Sequence, residues 1–123
     1  MCGQDSCCSG GPTLIFACSG AADVGQIADQ TARKMTKNGA GKMFCLAGVG
    51  GRIGGIMKTT ESASKILTID GCELDCAKKL LKQAGFKNFE HLRITDLGMQ
   101  KGKTDVTEQN ITKVAEQGAA LLK

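Results

Sequence analysis

The sequence contains no tryptophan and no tyrosine, and four phenylalanines make up its aromatic residues. Proteins that bind nucleic acid by base stacking need exposed aromatic faces. The net charge of +4 arises from 16 basic and 12 acidic residues that are interspersed along the chain, which falls short of the basic patch of a DNA-binding protein. No segment approaches the roughly 20 apolar residues of a membrane span. We therefore expect neither a nucleic-acid partner nor a membrane partner.

The beginning of the chain also lacks the features of an export signal. The first basic residue is Arg33, and the early apolar run at residues 13–18 is shorter than the apolar region of a signal peptide. We therefore expect a cytoplasmic protein whose thiols are reduced.

Cysteine is the residue that the chain has in excess, with seven among 123 residues. In a reducing compartment an odd number of cysteines favours metal or redox chemistry over a disulfide framework. Three of them, Cys2, Cys7 and Cys8, lie in a small, polar segment at residues 1–12, which we expect to be a flexible leader. Residues 13–123 then form a single predicted α/β domain.

A strand-and-helix pattern repeats four times in that domain. Continuous apolar runs predict strands and helical periodicity predicts the connections. Such alternation implies right-handed crossovers and a parallel sheet covered by helices on both faces. We predict a small three-layer domain that resembles half of a Rossmann or flavodoxin-like fold, with strand order 2-1-3-4. The expected strands are residues 13–18, 42–47, 65–70 and 91–95, and the expected helices are residues 23–38, 56–63, 73–84 and a last helix capped by Asp105.

Four cysteines fall near the carboxyl ends of these predicted strands. Cys18 ends the first strand, Cys45 lies near the end of the second, and Cys72 follows the third. Cys76 comes four residues later, so we expect Cys72 and Cys76 to share one helix face. Ligands of doubly wound sheets bind beyond the carboxyl ends of the strands. The pattern therefore predicts a thiol-rich site at this edge.

Carboxylates crowd the same segment and favour a bound cation. Asp70, Glu73 and Asp75 add negative charge beside the thiols, and a divalent cation would remove the repulsion and ionise the sulfurs. Soft sulfur ligands select Zn(II), Cu(I) or iron–sulfur clusters, and closed four-cysteine sites commonly hold zinc. The single histidine, His91, starts the fourth predicted strand. We expect it at the surface at the opposite end of the sheet, and therefore expect no histidine ligand.

Two other functions remain open from the residues. In a thiol–disulfide redox enzyme, Cys72 would attack and Cys76 or Cys18 would resolve, although the acidic neighbours disfavour a reactive thiolate. The glycine-rich stretch from Gly48 to Gly55 could cradle the phosphate of a nucleotide or small anion with its backbone amides. However, Ile53 occupies the third glycine position of the dinucleotide fingerprint, and the stretch follows the second strand instead of the first.

Residues 18–25, 44–51, 70–76 and 95–98 together resemble the DGC-domain family, which is named for the motif at residues 70–72. The resemblance extends from about residue 13 to the end of the chain. It implies a zinc-binding protein whose four chelating cysteines correspond to Cys18, Cys45, Cys72 and Cys76, and it brings no established reaction. We therefore expect a metal- or thiol-ligand-binding or sensing role more than an enzyme, with Zn(II) as cofactor and a small anionic or thiol molecule as a candidate further ligand.

Overall fold

The sheet is four-stranded and entirely parallel in the computed structural model, which describes residues 11–123. Its strands are β1 (Thr13–Ala17), β2 (Lys42–Met43), β3 (Lys65–Asp70) and β4 (Glu90–Arg93), and they lie in the order β2-β1-β3-β4. The predicted α/β class and strand order are confirmed. The helices between and after the strands are α1 (Asp23–Lys37), α2 (Leu46–Gly50), α3 (Gly54–Glu61), α4 (Cys76–Gln83) and α5 (Glu108–Leu121), with a short 3₁₀ turn at Ile94–Leu97.

Helices cover both faces of the sheet, as the buried residues of β1 show. Side chains alternate between the two faces of a strand. Leu14 and Phe16 pack with residues of α2, α3 and α4, whereas Ile15 and Ala17 pack with α1 and α5. Because β1 is central and covered on both faces, all four of these side chains are almost completely buried. The three predicted layers are therefore present.

Helix α1 follows its predicted periodicity. The six side chains expected on its apolar face are all buried in the core against the sheet and α5. Helix α5 packs beside it, and a Cβ at Gly118 would lie 2.8 Å from the sulfur of Met35. The buried face of α1 consists of Val24, Ile27, Ala28, Thr31, Ala32 and Met35, together with Gly25.

The second strand is shorter than predicted, and the difference changes the position of Cys45. Strand β2 ends at Met43, and α2 begins at Leu46. Cys45 caps α2, because its Sγ accepts a hydrogen bond from the backbone amide of Gly48 at 3.3 Å. The prediction that Cys45 lies within a strand is therefore wrong, and its side chain is exposed. The helix predicted at residues 56–63 is present as α3, which begins and ends two residues earlier, and α2 is an additional helix that was not predicted.

Helix α4 begins three residues later than predicted. Asp75 has a φ of 52°, a left-handed conformation that an α-helix does not accommodate. The segment before it is therefore a turn, and Leu74, which was expected on the apolar face of the helix, is 54% exposed. Cys72 and Cys76 do not share a helix face as expected, because Cys76 alone belongs to α4.

Helix α5 is capped by Thr107, and not by Asp105 as predicted. The Oγ1 of Thr107 accepts a hydrogen bond from the amide of Asn110 at 3.2 Å.

The predicted leader lies outside the described residues except for Gly11 and Pro12. The carbonyl of Pro12 accepts a hydrogen bond from the amide of Ser64 at 2.9 Å. No helix within residues 11–123 is long and apolar enough to span a bilayer.

Candidate functional site

The four described cysteines lie on segments that follow strands at the carboxyl edge of the sheet. Cys18 follows β1, Cys72 follows β3 and Cys76 is the first residue of α4. Cys45 lies between β2 and α2. Cys45 and Cys76 are exposed, Cys18 and Cys72 are partly buried, and these four are free thiols. The backbone segments that carry these four cysteines therefore lie at one edge of the sheet, as expected.

Glycines allow the segments that carry Cys18 and Cys72 to approach each other. A Cβ at Gly71 would lie 2.8 Å from the carbonyl carbon of Val24 in α1. A Cβ at Gly25 would lie 2.6 Å from the carbonyl oxygen of Gly20. Real Cβ atoms do not tolerate such contacts, so glycine is required at both positions. The loops after β1 and β3 consequently pack together on the first turn of α1.

The thiol of Cys18 occupies the centre of this packing. Burial is the main cause that raises its pKa, and the negative charge of Asp70 raises it further. Hydrogen bonds from the backbone amides of Gly20 and Gly71 oppose this shift. Cys18 therefore stays a protonated thiol near neutral pH unless a cation is added.

The sulfurs themselves do not form a closed cluster. Within residues 11–123, potential metal-ligand atoms of three or more side chains come within 4.8 Å of one another at one place, which consists of Asp70, Asp75 and His91. Lys101 Nζ lies 3.8 Å from the Sγ of Cys72. The side chain of Lys101 is otherwise exposed, on the loop that precedes α5.

Asp70 is the most buried member of the histidine-containing group, with 1% exposure. Its Oδ1 accepts a hydrogen bond from the backbone amide of Ala77 at 2.8 Å, and its Oδ2 accepts one from the backbone amide of Lys78 at 3.1 Å. The same Oδ2 accepts a third hydrogen bond from His91 Nε2 at 3.0 Å. Asp70 therefore supplies a side-chain cap to the first turn of α4, and α4 has no such cap from its own N-cap residue.

His91 does not lie at the opposite end of the sheet, and that prediction is wrong. Strand β4 is displaced along β3, so that Glu90 pairs with Leu67 and Arg93 pairs with Asp70. His91 therefore lies beside the carboxyl half of β3, with a side chain 17% exposed. The sequence indicates that His91 and Arg93, two residues apart, share one strand face, but it does not indicate the register of β4 against β3.

The carboxylates do not crowd the thiols in the way that the sequence suggested. Asp75 accepts two hydrogen bonds from Arg93, at 2.9 Å from Nε and 2.5 Å from Nη2. This bidentate pairing is the main cause that lowers the pKa of Asp75. Glu73 is exposed. Asp70 and Asp75 thus have their own partners, although Asp70 still raises the pKa of Cys18.

The glycine-rich stretch from Gly48 to Gly55 is mostly helical, and the side chain of Arg52 hydrogen-bonds to the backbone carbonyls within it. Arg52, at a φ of 58°, donates from Nη1 to the carbonyls of Val49 and Gly50 at 2.8 and 3.2 Å. A Cβ at Gly54 or Gly55 would meet no atom within 4 Å. Within the described residues, these two glycines are therefore not required by close packing against other protein atoms.

An all-parallel sheet with cysteines after three of its strands defines the class of protein: a small α/β protein with free cysteines at the carboxyl edge of its sheet. The DGC domain family matches residues 14–118, and the chain belongs to this family. It is similar to the anaerobic and virulence modulator AnvM of Pseudomonas aeruginosa, with 34% identity over 88 residues that cover 72% of this chain and 67% of that protein. No solved structure shows a significant match to the chain.

Proposed function

We propose that this protein binds one Zn(II) ion at the carboxyl edge of its sheet through the thiolates of Cys18, Cys72 and Cys76, with Cys45 as the fourth ligand. Its role is to bind or sense a metal or a thiol ligand. The observation that carries the proposal is the packing of the loops after β1 and β3. The amide of Cys18 donates to the carbonyl of Ile69 in β3 at 3.0 Å, and Gly71, the residue before Cys72, lies against the first turn of α1.

The chemistry of the donor set fits this metal. Zinc binds four thiolates tetrahedrally at about 2.3 Å, which places the sulfurs about 3.8 Å apart. Rotation of the exposed Cys76 and Cys45 side chains and of the partly buried Cys72 would bring the sulfurs toward Cys18. A cation would also ionise the Cys18 thiol, whose pKa burial has raised. The ammonium of Lys101 would offset part of the negative charge of a zinc–thiolate centre.

The group of Asp70, Asp75 and His91 is a rival metal site, and its hydrogen bonds argue for a structural role. A cation that bound Asp70 would compete with the amides that it caps in α4. A cation that bound Asp75 would compete with the bidentate contact from Arg93. The cysteine sulfurs carry fewer and longer contacts, such as the 3.3 Å hydrogen bond from the Gly48 amide to Cys45. They are also the softer ligands and better suited to zinc.

The test is the zinc content of the full chain after purification without added metal. We expect close to one zinc per chain by plasma mass spectrometry, and a loss of most of it in the Cys72→Ser, Cys76→Ser double variant. The matched control is His91→Asn, which disrupts the rival group and leaves every cysteine in place. We expect this control to retain its zinc.

The opposite pattern would overturn the proposal. If the double cysteine variant kept its zinc and His91→Asn lost it, the metal would belong to the rival group. A triple Cys2→Ser, Cys7→Ser, Cys8→Ser variant tests the leader separately, because it leaves all four proposed ligands unchanged. We expect this variant to keep its zinc.

One observation favours a second function, thiol–disulfide exchange. Cys72 and Cys76 are free thiols near each other in sequence, and the Lys101 ammonium lies 3.8 Å from the Cys72 sulfur, where it could stabilise a thiolate. The Cys72 thiolate would attack a disulfide substrate and release one thiol. Cys76 would then displace the second thiol and leave a Cys72–Cys76 disulfide. Metal-free protein with that disulfide, reversed by a dithiol reductant, would support this function over zinc binding.

The Pseudomonas aeruginosa relative is named as an anaerobic and virulence modulator. A metal- or thiol-sensing role for this chain agrees with that description, since both proposed functions respond to metal supply or to redox state. Zinc content and free-thiol counts measured on the same sample separate the two.

A further inference from the structure

A cavity of about 830 Å³ opens on one side of the cysteine edge, between β1, α1 and the segment from β2 to α2. This volume lies within the range of pockets that bind small molecules. One side of the cavity is apolar and is lined by the half-buried side chains of Met43, Phe44, Leu46 and Leu80. The ring of Phe44 makes an edge-to-face contact with Phe16, with 6.0 Å between the ring centroids.

Three polar side chains on the other side of the cavity form a fixed arrangement. Arg33 Nε donates to Asp29 Oδ2 at 2.7 Å, and Ser19 Oγ donates to Asp29 Oδ1 at 2.8 Å. Ser19 has a φ of 51°, which is a strained conformation for a residue other than glycine. Strain of this kind is found at ligand sites, where the surrounding structure maintains it. All three residues line the cavity.

This arrangement orients the guanidinium of Arg33 for an additional partner. Asp29 engages Nε and leaves the Nη1 and Nη2 edge for a second group. Two parallel N–H donors in one plane match the two oxygens of a carboxylate. One arginine beside the Asp29 carboxylate offers too little positive charge for the two negative charges of a phosphate. A single carboxylate on the Nη edge, on the far side from Asp29, meets less repulsion.

We propose that this cavity binds a small carboxylic acid, with its carboxylate on the Nη edge of Arg33 and its apolar body against Phe44, Met43 and Leu80. The inference goes beyond zinc binding and does not depend on it, since neither Arg33 nor the apolar wall belongs to the proposed metal ligands. Cys18 and Cys45 also line the cavity, so the bound acid would lie beside the cysteine edge.

The test is a titration of the full chain with sodium hexanoate, followed by ¹H–¹⁵N NMR, including the Nε–Hε signal of Arg33. NMR is the appropriate method because the chain has no tryptophan or tyrosine fluorescence. We expect saturable shifts at Arg33, Ser19 and Phe44. Arg33→Met should weaken binding about tenfold or more, and Arg33→Lys should weaken it less, because lysine keeps the charge and loses the fork.

The matched control is Lys37→Met, which removes an exposed positive charge from the end of the same helix and should leave hexanoate affinity unchanged. The proposal is overturned if hexanoate gives no saturable shifts, if Arg33→Met binds it as well as the wild type, if 1-hexanol binds as tightly as hexanoate, or if inorganic phosphate binds more tightly. The titration is repeated with zinc-free and zinc-supplemented protein. If the chain takes up no zinc when zinc is supplied but binds hexanoate, the proposed function fails and this inference stands. If it takes up zinc but gives no saturable hexanoate shifts, this inference alone fails.

Discussion

Two regions near the carboxyl end of β3 contain candidate metal ligands, and their polar atoms differ in how completely they are engaged. The buried carboxylate of Asp70 accepts three hydrogen bonds, and that of Asp75 is held by both a bidentate arginine and a neighbouring histidine. Among the described residues, the sulfur of Cys72 contacts one polar side-chain atom, Lys101 Nζ, and the sulfur of Cys76 contacts none. Engaged groups stabilise a fold, whereas soft donors that are accessible and weakly engaged are available to a ligand. The difference favours a stabilising role for the first region, and it agrees with the metal binding that we propose for the second.

The largest effect that would sharpen this comparison is the removal of the Asp70 carboxylate. Asp70→Ala leaves two amides of α4 and His91 without their shared acceptor in a buried place. We expect the free energy of unfolding to fall by about 3 kcal/mol. Urea unfolding followed by circular dichroism measures it. Asp96→Asn is the control, because its side chain is 63% exposed, and it should cost less than about 0.5 kcal/mol.

The next effect tests the close approach of the two cysteine-bearing loops. Gly71→Ala places a Cβ 2.8 Å from the Val24 backbone, which must move away. We expect a loss of about 2 kcal/mol in the free energy of unfolding, together with a lower zinc content. Gly54→Ala is the matched control. Residue 54 is the first residue of α3, and a Cβ there would meet no atom within 4 Å. A Gly71→Ala protein that is as stable and as zinc-rich as the control would contradict the assigned packing.

A smaller effect concerns the pH dependence of the Asp75–Arg93 pair. The hydrogen bond from Arg93 lowers the pKa of Asp75, so the pair contributes stability at pH values above the unfolded-state pKa, which is about 4. That contribution is lost as the pH falls through the lower pKa of the folded state. We expect Arg93→Gln to be about 1–2 kcal/mol less stable than the wild type near pH 7, with the gap closing below about pH 4. A gap that stayed constant down to about pH 3 would rule out this origin.

The smallest effect is a difference in thiol reactivity within the cysteine edge. In zinc-free protein the raised pKa of Cys18 should make its alkylation by iodoacetamide slower than that of the exposed Cys45 and Cys76 near pH 8. Mass spectrometry of the separate peptides gives each rate. The Cys18 rate should continue to rise at higher pH. If Cys18 were the fastest of the three, its burial could not be as described.

The sequence predicted the fold well because the relevant signals are local and periodic. The apolar face of α1 and the continuous apolar runs of β1 and β3 identify helices and buried strands without reference to the rest of the chain. Boundaries that depend on distant contacts were missed. The late start of α4 depends on the left-handed Asp75, whose side chain pairs with Arg93 eighteen residues away.

The candidate site was predictable in part for the same reason. The cysteines after β1 and β3 could be placed because topology brings the carboxyl ends of parallel strands to one edge. The position of His91 could not, since the stagger of β4 against β3 is set by packing and not by a sequence motif. The Lys101 contact with Cys72 depends on a loop whose Gly102 and Thr104 amides donate to Asp23, a long-range interaction that no local pattern reveals.

The most direct test is zinc K-edge X-ray absorption on the zinc-loaded full chain. We predict a shell of sulfur atoms at about 2.3 Å, which the cysteine edge alone can supply among the described ligand groups. A first shell composed of nitrogen and oxygen at about 2.0–2.1 Å, with no sulfur, would place the ion on Asp70, Asp75 and His91 and would contradict the assignment.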